Sequence, residues 1–194
     1  MKRPVAMERM LVGDARNVAR DLGLRCRLHA VDLIWLRDRT LDVEGLRDLL
    51  QRMRREVSLP IVVSLDPADA AAAGADGVQL RDDDLRASFA LEAREKGLLV
   101  GGSAHSPESI RELASLQSDW IVFGPVHDTM KSHGLQRGRG YDVLRDAVCM
   151  ARPVPVIAIG GLELPDLPDV LATGAAGLAA IRAFQDVSRR QPHG

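Results

Sequence analysis

Residues 59–80 read LPIVVSLDPADAAAAGADGVQL. Behind Pro60 runs IVVSL, short, β-branched and not alternating, as a strand buried on both faces of a parallel sheet requires. Asp66 and Pro67 then supply a helix cap and a first helical position, the alanines propagate the helix, and Gly74 offers a C-terminal stop. GVQL follows as a second strand. The segment is therefore one strand–helix–strand unit. Residues 154–180, VPVIAIGGLELPDLPDVLATGAAGLAA, repeat its order. Half-barrel duplication and the ordinary recurrence of such units both explain the echo.

Working outward, DLIWL (32–36), LLVGG (98–102), WIVFG (120–124), PVIAIGG (155–161) and GLAAI (177–181) have the same buried-strand character. Helical periodicity fills the intervals. Leu46, Leu49, Leu50 and Met53 fall at i, i+3, i+4 and i+7, the spacing of one buried face. Ser106 and Pro107 open a helix whose inner stripe is Ile110, Leu113 and Ala114. With a first strand over 4–12, strand and helix alternate about eight times. That count predicts an α/β fold, a single compact (β/α)8 TIM barrel over residues 1–194, in preference to an open doubly wound sheet. Loops must be lean, except over 124–140.

With 194 residues, 46% of them hydrophobic, the chain can bury a sizeable core. Its 26 basic and 27 acidic residues leave no field for nucleic acid or a membrane surface, and 3% aromatics make no base-stacking platform. Cys26 and Cys149 lack metal or disulfide spacing and are expected to be buried and reduced. MKRPVAMERMLVGD lacks the apolar core of a signal peptide, and no apolar run nears the ~20 residues of a membrane span. A cytoplasmic protein is expected.

Ligands of such barrels sit at the C-terminal ends of the strands. After PVIAI come Gly160 and Gly161, which let backbone approach a ligand and aim N–H groups at an anion. GLAAI runs into Arg182 and an expected helix N-terminus, the usual phosphate cradle of these barrels; a plain tight turn would also use Gly-Gly. Arg37 and Arg39 share a side of an extended strand end. They could hold a diphosphate, or pair with Asp38 or Asp42. Asp82, Asp83 and Asp84 could hold Mg²⁺, or serve a helix dipole. After LLVGG, Ser103 and His105 could both face the mouth. With no orienting acid in view, Ser103 reads as a hydrogen-bonding group and not a nucleophile. The segment IVFGPVHDTMKSHGLQRGRG (121–140) has the composition of a mobile lid over an anion, or of a plain surface loop.

DLIWLRDRTL, GADGVQLRDDDL, VGGSAHSPESI, DWIVFGPVHDT, PVPVIAIGGL and GAAGLAAIRAF resemble, in order and spacing over residues 30–184, the thiamine phosphate synthase and TenI superfamily of vitamin B1 biosynthesis. Synthases of this family join a thiazole phosphate to a pyrimidine methyl diphosphate. The resemblance implies that the amides of Gly161 and of Ile181 with Arg182, together with Thr129, hold the thiazole phosphate. It implies a diphosphate site at Arg37 and at Arg39, which stands in place of lysine, and Mg²⁺ at Asp84. Ser103 lies near the reacting groups, and Trp35 stands in place of glutamine. Two departures accompany it. Ser64 and Leu65 replace the asparagine and first magnesium aspartate, with Asp66 one position late and assigned to capping. Lys131 lies one position early. The TenI branch, whose thiazole tautomerases use a histidine just after strand six, has Pro125 at that place here, with His127 two residues on.

The expected function is binding of a thiazole phosphate-like heterocycle, with synthase-like or tautomerase-like turnover. Proton transfer would fall to His127 or His105, imidazole being the usual acid–base group near neutral pH, with Ser103 and Lys131 as further candidates. The alternative is a non-catalytic phosphate-binding or regulatory barrel. A third reading is recruitment of the barrel to other small-molecule chemistry. Homo-oligomerisation is left open.

Overall fold

In a computed structural model, residues 7–18, 20–38, 40–82, 86–131 and 134–185 are described. Among the described residues ten strands are present: β1 (Arg9–Gly13), β2 (Leu33–Leu36), β3 (Ile61–Val63), β4 (Gly77–Leu80), β5 (Leu99–Ala104), β6 (Trp120–Phe123), β7 (Thr129–Lys131), β8 (Gly134–Gln136), β9 (Val156–Ile159) and β10 (Gly177–Ala180). Eight of them close a parallel barrel in the order β1-β10-β9-β6-β5-β4-β3-β2. Closure is made where Arg9, Met10 and Leu11 pair with Leu178, Ala179 and Ala180. The fold is the (β/α)8 barrel. Of the strand expected over 4–12, the described part begins at Arg9, after Met7 and Glu8, and residues 4–6 lie outside the described residues. Before it, the Glu8 amide N–H already donates to the Asp32 carboxylate at 2.9 Å.

The helices are α1 (Ala15–Val18), α2 (Leu22–Leu28), α3 (Val43–Arg54), α4 (Pro67–Ala73), α5 (Arg86–Glu95), α6 (Pro107–Ser115), α7 (Gly140–Ala151) and α8 (Leu167–Ala172). Their starts follow local chemistry. The Asp42 carboxylate accepts the Gly45 amide N–H at 2.8 Å, and Ser106 accepts that of Ser109 at 3.2 Å. α4 ends on Gly74 in the left-handed region, φ +83°. Asp66 starts α4 with extended backbone but makes no side-chain cap bond, so the capping role expected of it is absent. Leu46, Leu49, Leu50 and Met53 are buried on the inner face of α3 as their spacing requires. Each such side chain contributes roughly 1.5–3 kcal/mol by leaving water.

Strand alternation divides the core in two. Met10, Val12, Leu33, Trp35, Val62, Leu99, Trp120, Val122, Ile157 and Ala179 point into the barrel. Their neighbours Leu11, Ile34, Val63, Val78, Val100, Ile121, Ala158 and Leu178 face the helices. Cys26 is buried in the outer layer and its thiol is pushed up to about 11, chiefly by burial. Cys149, expected to be buried, is exposed on α7, and both cysteines are free.

The long segment after β6 is built, not slack. Its base is stitched down by Val126 N–H to the Ile159 carbonyl and His127 N–H to the Gly160 carbonyl, both at 2.9 Å. On the return, Arg139 N–H donates to Pro125 and Gly140 N–H to Val126. Between these anchors β7 and β8 form an antiparallel ribbon, with Thr129 opposite Gln136. Met130 and Leu135 stand exposed on it.

Candidate functional site at the barrel mouth

Past β9 the chain turns through Gly160 (φ +100°) and Gly161 (φ +69°). Both conformations favour glycine, and space demands it as well. A Cβ on Gly160 would lie 2.5 Å from the Pro125 Cβ, and one on Gly161 would lie 2.7 Å from the Asp128 carbonyl oxygen. The glycine pair is thus the seat on which the β6 segment rests. Ala179 pairs with Ile159, so the loops that carry Gly161 and Ile181 leave the ends of adjacent strands. There the expected helix is one 3-10 turn, Arg182–Phe184, with Ile181 and Arg182 exposed. Among the described residues no acceptor meets the amide N–H of Gly161 or of Arg182. Two adjacent loops therefore offer orphan donors on one edge of the mouth.

That turn is held from beneath. Arg25 on α2, 4% exposed, donates from Nε to the Phe184 carbonyl at 2.6 Å and from Nη1 to the Asn17 carbonyl at 2.6 Å. Burial lowers its pKa, opposed by the charges of Cys26 and Asp21. Asn17 also lines a cleft of about 530 Å³ over the ends of β1, β2 and β10, together with Asp14, Arg16, Arg37, Thr40 and Ile181. The Arg37 amide N–H donates to Gly13 at 2.8 Å, locking the two strand ends together. Asp38 beside it accepts from the Thr40 hydroxyl (2.7 Å) and from the amides of Ala15 and Thr40. Those bonds, the Thr40 hydroxyl first, hold its carboxyl below the ordinary range. Asp38 is thereby spent on loop structure. Arg39 lies outside the described residues. The second guanidinium of the cleft is Arg16, which the strand-by-strand reading missed because α1 carries only one buried residue and no apolar stripe announces it.

Inside the mouth the polar side chains are few and connected. Trp120 Nε1–H donates to Gln79 Oε1 at 2.8 Å, and Gln79 Nε2 donates to Ser103 Oγ at 3.1 Å. Trp35 Nε1–H donates to Ser64 Oγ at 2.8 Å. His105 is exposed at the end of β5 with Nδ1 3.1 Å from the Gly124 carbonyl oxygen. A carbonyl only accepts, so Nδ1 carries a proton and Nε2 is left to the solvent side. The His127 ring is turned to the rim, edge-on to Tyr141 at 5.3 Å and with Nδ1 3.9 Å from Asp166 Oδ2, beyond hydrogen-bond length. Strand alternation suggested that it shares the direction of the mouth residues; its position on Gly161 directs it toward α7 instead. Thr129 begins β7, half-buried, and Lys131 ends it, described through its backbone alone.

Sequence comparison decides the lineage. The family model described as thiamine monophosphate synthase matches residues 12–184. The chain belongs to this family. A putative thiamine-phosphate synthase of Geobacter sulfurreducens is 33% identical over 165 residues, covering 84% of this chain and 74% of the relative. The thiamine-phosphate synthase of Methanocella arvoryzae is 34% identical over 166 residues, covering 84% and 78%. Among solved structures, thiamine phosphate pyrophosphorylase from Pyrococcus furiosus superposes with a TM-score of 0.75 at 25% identity, covering 95% of this chain and 90% of that one. A tryptophan synthase α-subunit from the same organism, at 18% identity and a TM-score of 0.68, shares the fold.

The magnesium site implied by the thiamine phosphate synthase resemblance finds a poor donor set among the described residues. Leu65 packs half-buried on the outer core. Ser64 is engaged by Trp35. Asp82 is ion-paired with Arg86, whose guanidinium is 2% exposed and also reaches Glu112 at 3.3 Å, the Arg81 carbonyl at 2.8 Å and the Ser103 carbonyl at 2.9 Å. Asp84 lies outside the described residues. No group of three or more metal-ligating side chains is gathered among those described. Elsewhere, Arg47 and Arg54 line a groove between α3 and α4, but they are consumed by the carbonyls of Ala72 and Gly74 at the end of α4.

Proposed function

We propose that this member of the thiamine monophosphate synthase family binds a small phosphorylated heterocycle, of the thiazole phosphate kind, at the barrel mouth. The carrying observation is the edge between β9 and β10, where the Gly161 and Arg182 amides, on the loops after two adjacent strands, have no acceptor among the described residues. Unpaired backbone N–H groups on neighbouring loops suit a phosphate dianion. Thr129 would add a hydroxyl from the β6 segment, and Gly160, Ile181 and Arg182 would frame the anion. The ring would lie toward Ser103. His105, its Nε2 free and its Nδ1 fixed, is the better placed of the two histidines for proton transfer, with His127 and Lys131 on the ribbon side. Arg37, with Arg39 beside it in sequence, would hold a second anion in the adjoining cleft. Mg²⁺ is not assigned a role in this reading: Leu65 stands at one of the family's two carboxylate positions, and the other, Asp84, lies outside the described residues. It suits a cytoplasmic protein, and no described helix is long and apolar enough to cross a membrane.

Calorimetric titration with thiazole phosphate tests the binding, and incubation with either thiazole tautomer or with the pyrimidine diphosphate tests the chemistry. Absence of binding would sink the reading. Binding without turnover would favour the second one, a non-catalytic phosphate-binding barrel. Its specific support is Leu65, turned onto the core where a metal-binding carboxylate is expected.

A further inference from the structure

The polar chain inside the barrel has a direction. An indole N–H can only donate. Facing Trp120 Nε1 at 2.8 Å, the Gln79 side chain must present its oxygen, so its NH₂ must face Ser103. Ser103 Oγ must then accept. Gln79 and Trp120 are 1% and 2% exposed, so bulk solvent reaches neither, and a reversed carboxamide would take from the buried indole N–H the acceptor it has here. The hydroxyl of Ser103 keeps one proton, and among the described residues nothing accepts it. Ser103 is half-buried at the mouth, on the inward side of β5.

The backbone is shaped for this chain. Gln79, Gly101 and Trp120 lie in one register row across β4, β5 and β6. The indole reaches Gln79 only because Gly101 has no side chain; a Cβ there would lie within 2.4 Å of three indole ring atoms. The same polarity recurs across the mouth, where the donor-only indole of Trp35 makes Ser64 an acceptor and leaves its proton to point elsewhere. Two buried tryptophans, one directly and one through Gln79, thus make acceptors of two hydroxyls and leave their protons for other partners.

We infer that Gln79 and Trp120 are specificity-positioning residues that fix Ser103 as a hydrogen-bond donor, so that the mouth selects a heteroaromatic ring bearing an unprotonated, unsubstituted sp² nitrogen. This rests on the phosphate-binding reading above and names what the ring end of that ligand must be. A ring N–H, or a ring whose nitrogen is already alkylated, offers Ser103 no lone pair.

The test compares two probes by calorimetry: thiazole ethyl phosphate and the thiophene ethyl phosphate in which C–H replaces the ring nitrogen. The phosphate end is common to both, so the ratio of affinities reports the ring contact alone. Wild type should prefer the thiazole by about tenfold, the worth of one well-made hydrogen bond. Ser103→Ala should abolish the preference. Gln79→Glu, which accepts from both Trp120 and Ser103 and turns the Ser103 proton inward, should do the same. Should that variant fail to fold, Trp120→Phe removes the donor that sets the carboxamide and should reduce the preference. Equal binding of both probes by wild type, or a preference that survives these variants, overturns the inference and leaves the phosphate reading standing. Binding of neither probe overturns both.

Discussion

Arg25 and Phe184 are 159 positions apart in sequence, yet the Arg25 guanidinium donates to the Phe184 carbonyl at 2.6 Å. The same guanidinium holds the Asn17 carbonyl at 2.6 Å. One buried side chain therefore ties the turn carrying Ile181 and Arg182 to the wall of the cleft that holds Arg16 and Arg37.

Replacing Arg25 by methionine keeps much of its packing volume and removes these bonds. Carbonyl oxygens held by a charge would lose their donor in a buried place, a cost of about 2–4 kcal/mol. For a chain of this size that lowers Tm by roughly 4–16 °C. Phosphate-ligand affinity should fall further than stability alone explains, because the turn is no longer fixed at substrate concentrations where the barrel is still folded. Arg25→Lys should recover part of both. Scanning calorimetry beside ligand titration checks this; an Arg25→Met protein that loses stability but keeps full affinity would separate the clamp from the site.

Gly101→Ala introduces a methyl where the Trp120 indole lies. Overpacking of this kind costs about 1–3 kcal/mol. The indole must withdraw from Gln79, so the Trp120 N–H loses its partner. In a Trp35→Phe background the emission of Trp120 should change and the midpoint of urea unfolding should fall. Unchanged emission and midpoint would contradict the close packing of the ring on Gly101.

The fold was legible because each unit announces itself locally. IVVSL, GVQL and WIVF are too apolar for a half-exposed sheet, and Ser106-Pro107, Asp42 and Gly74 mark helix ends through their own backbone chemistry. Gly160, Gly161 and Arg182 were legible for the same reason, since their positions follow from the strand order. Arg25, Arg86 and Gln79 were not. Their partners are Phe184, Asp82, Glu112, Ser103 and Trp120, and most of these lie on other elements, so nothing in the local pattern distinguishes a buried, satisfied polar side chain from a surface one. Arg16 was hidden differently: it needs the cleft formed by β1, β2 and β10, which exists only after the barrel closes. The direction of His127 was misjudged because it follows from the stitching of its amide to Gly160, not from strand alternation.

Asp38 gives a pH dependence with a definite sign. Its folded carboxyl lies below its unfolded value, owing first to the Thr40 hydroxyl and then to the Ala15 amide. The ionised form is favoured in the folded state, so its contribution is fully present above the unfolded value of ~4 and fades as pH falls through the lower folded one. Asp38→Ala should therefore lower Tm at pH 7, and the gap to wild type should close as pH is taken below about 4. A gap that persists unchanged to the lowest pH at which both proteins fold would show that ionisation plays no part.

Arg16 and Arg37 line the same cleft as Asp14 and Asp38, whose carboxylates accept the backbone amides of Asn17 and of Ala15 and Thr40. If the cleft takes the second anion, inorganic pyrophosphate should bind there, and its affinity should fall with added salt, since exposed guanidiniums are screened beyond a Debye length of about 8–10 Å. Arg37→Ala and Arg16→Ala should each weaken pyrophosphate by roughly tenfold, the loss of one charge-assisted contact of about 1.5 kcal/mol. Thiazole phosphate, held on the β9–β10 edge, should bind either variant as it binds wild type. Titration of both anions against both variants separates the two subsites. Equal losses for the two ligands would mean that cleft and cradle form a single anion site, and a pyrophosphate affinity indifferent to both arginines would remove the second subsite altogether.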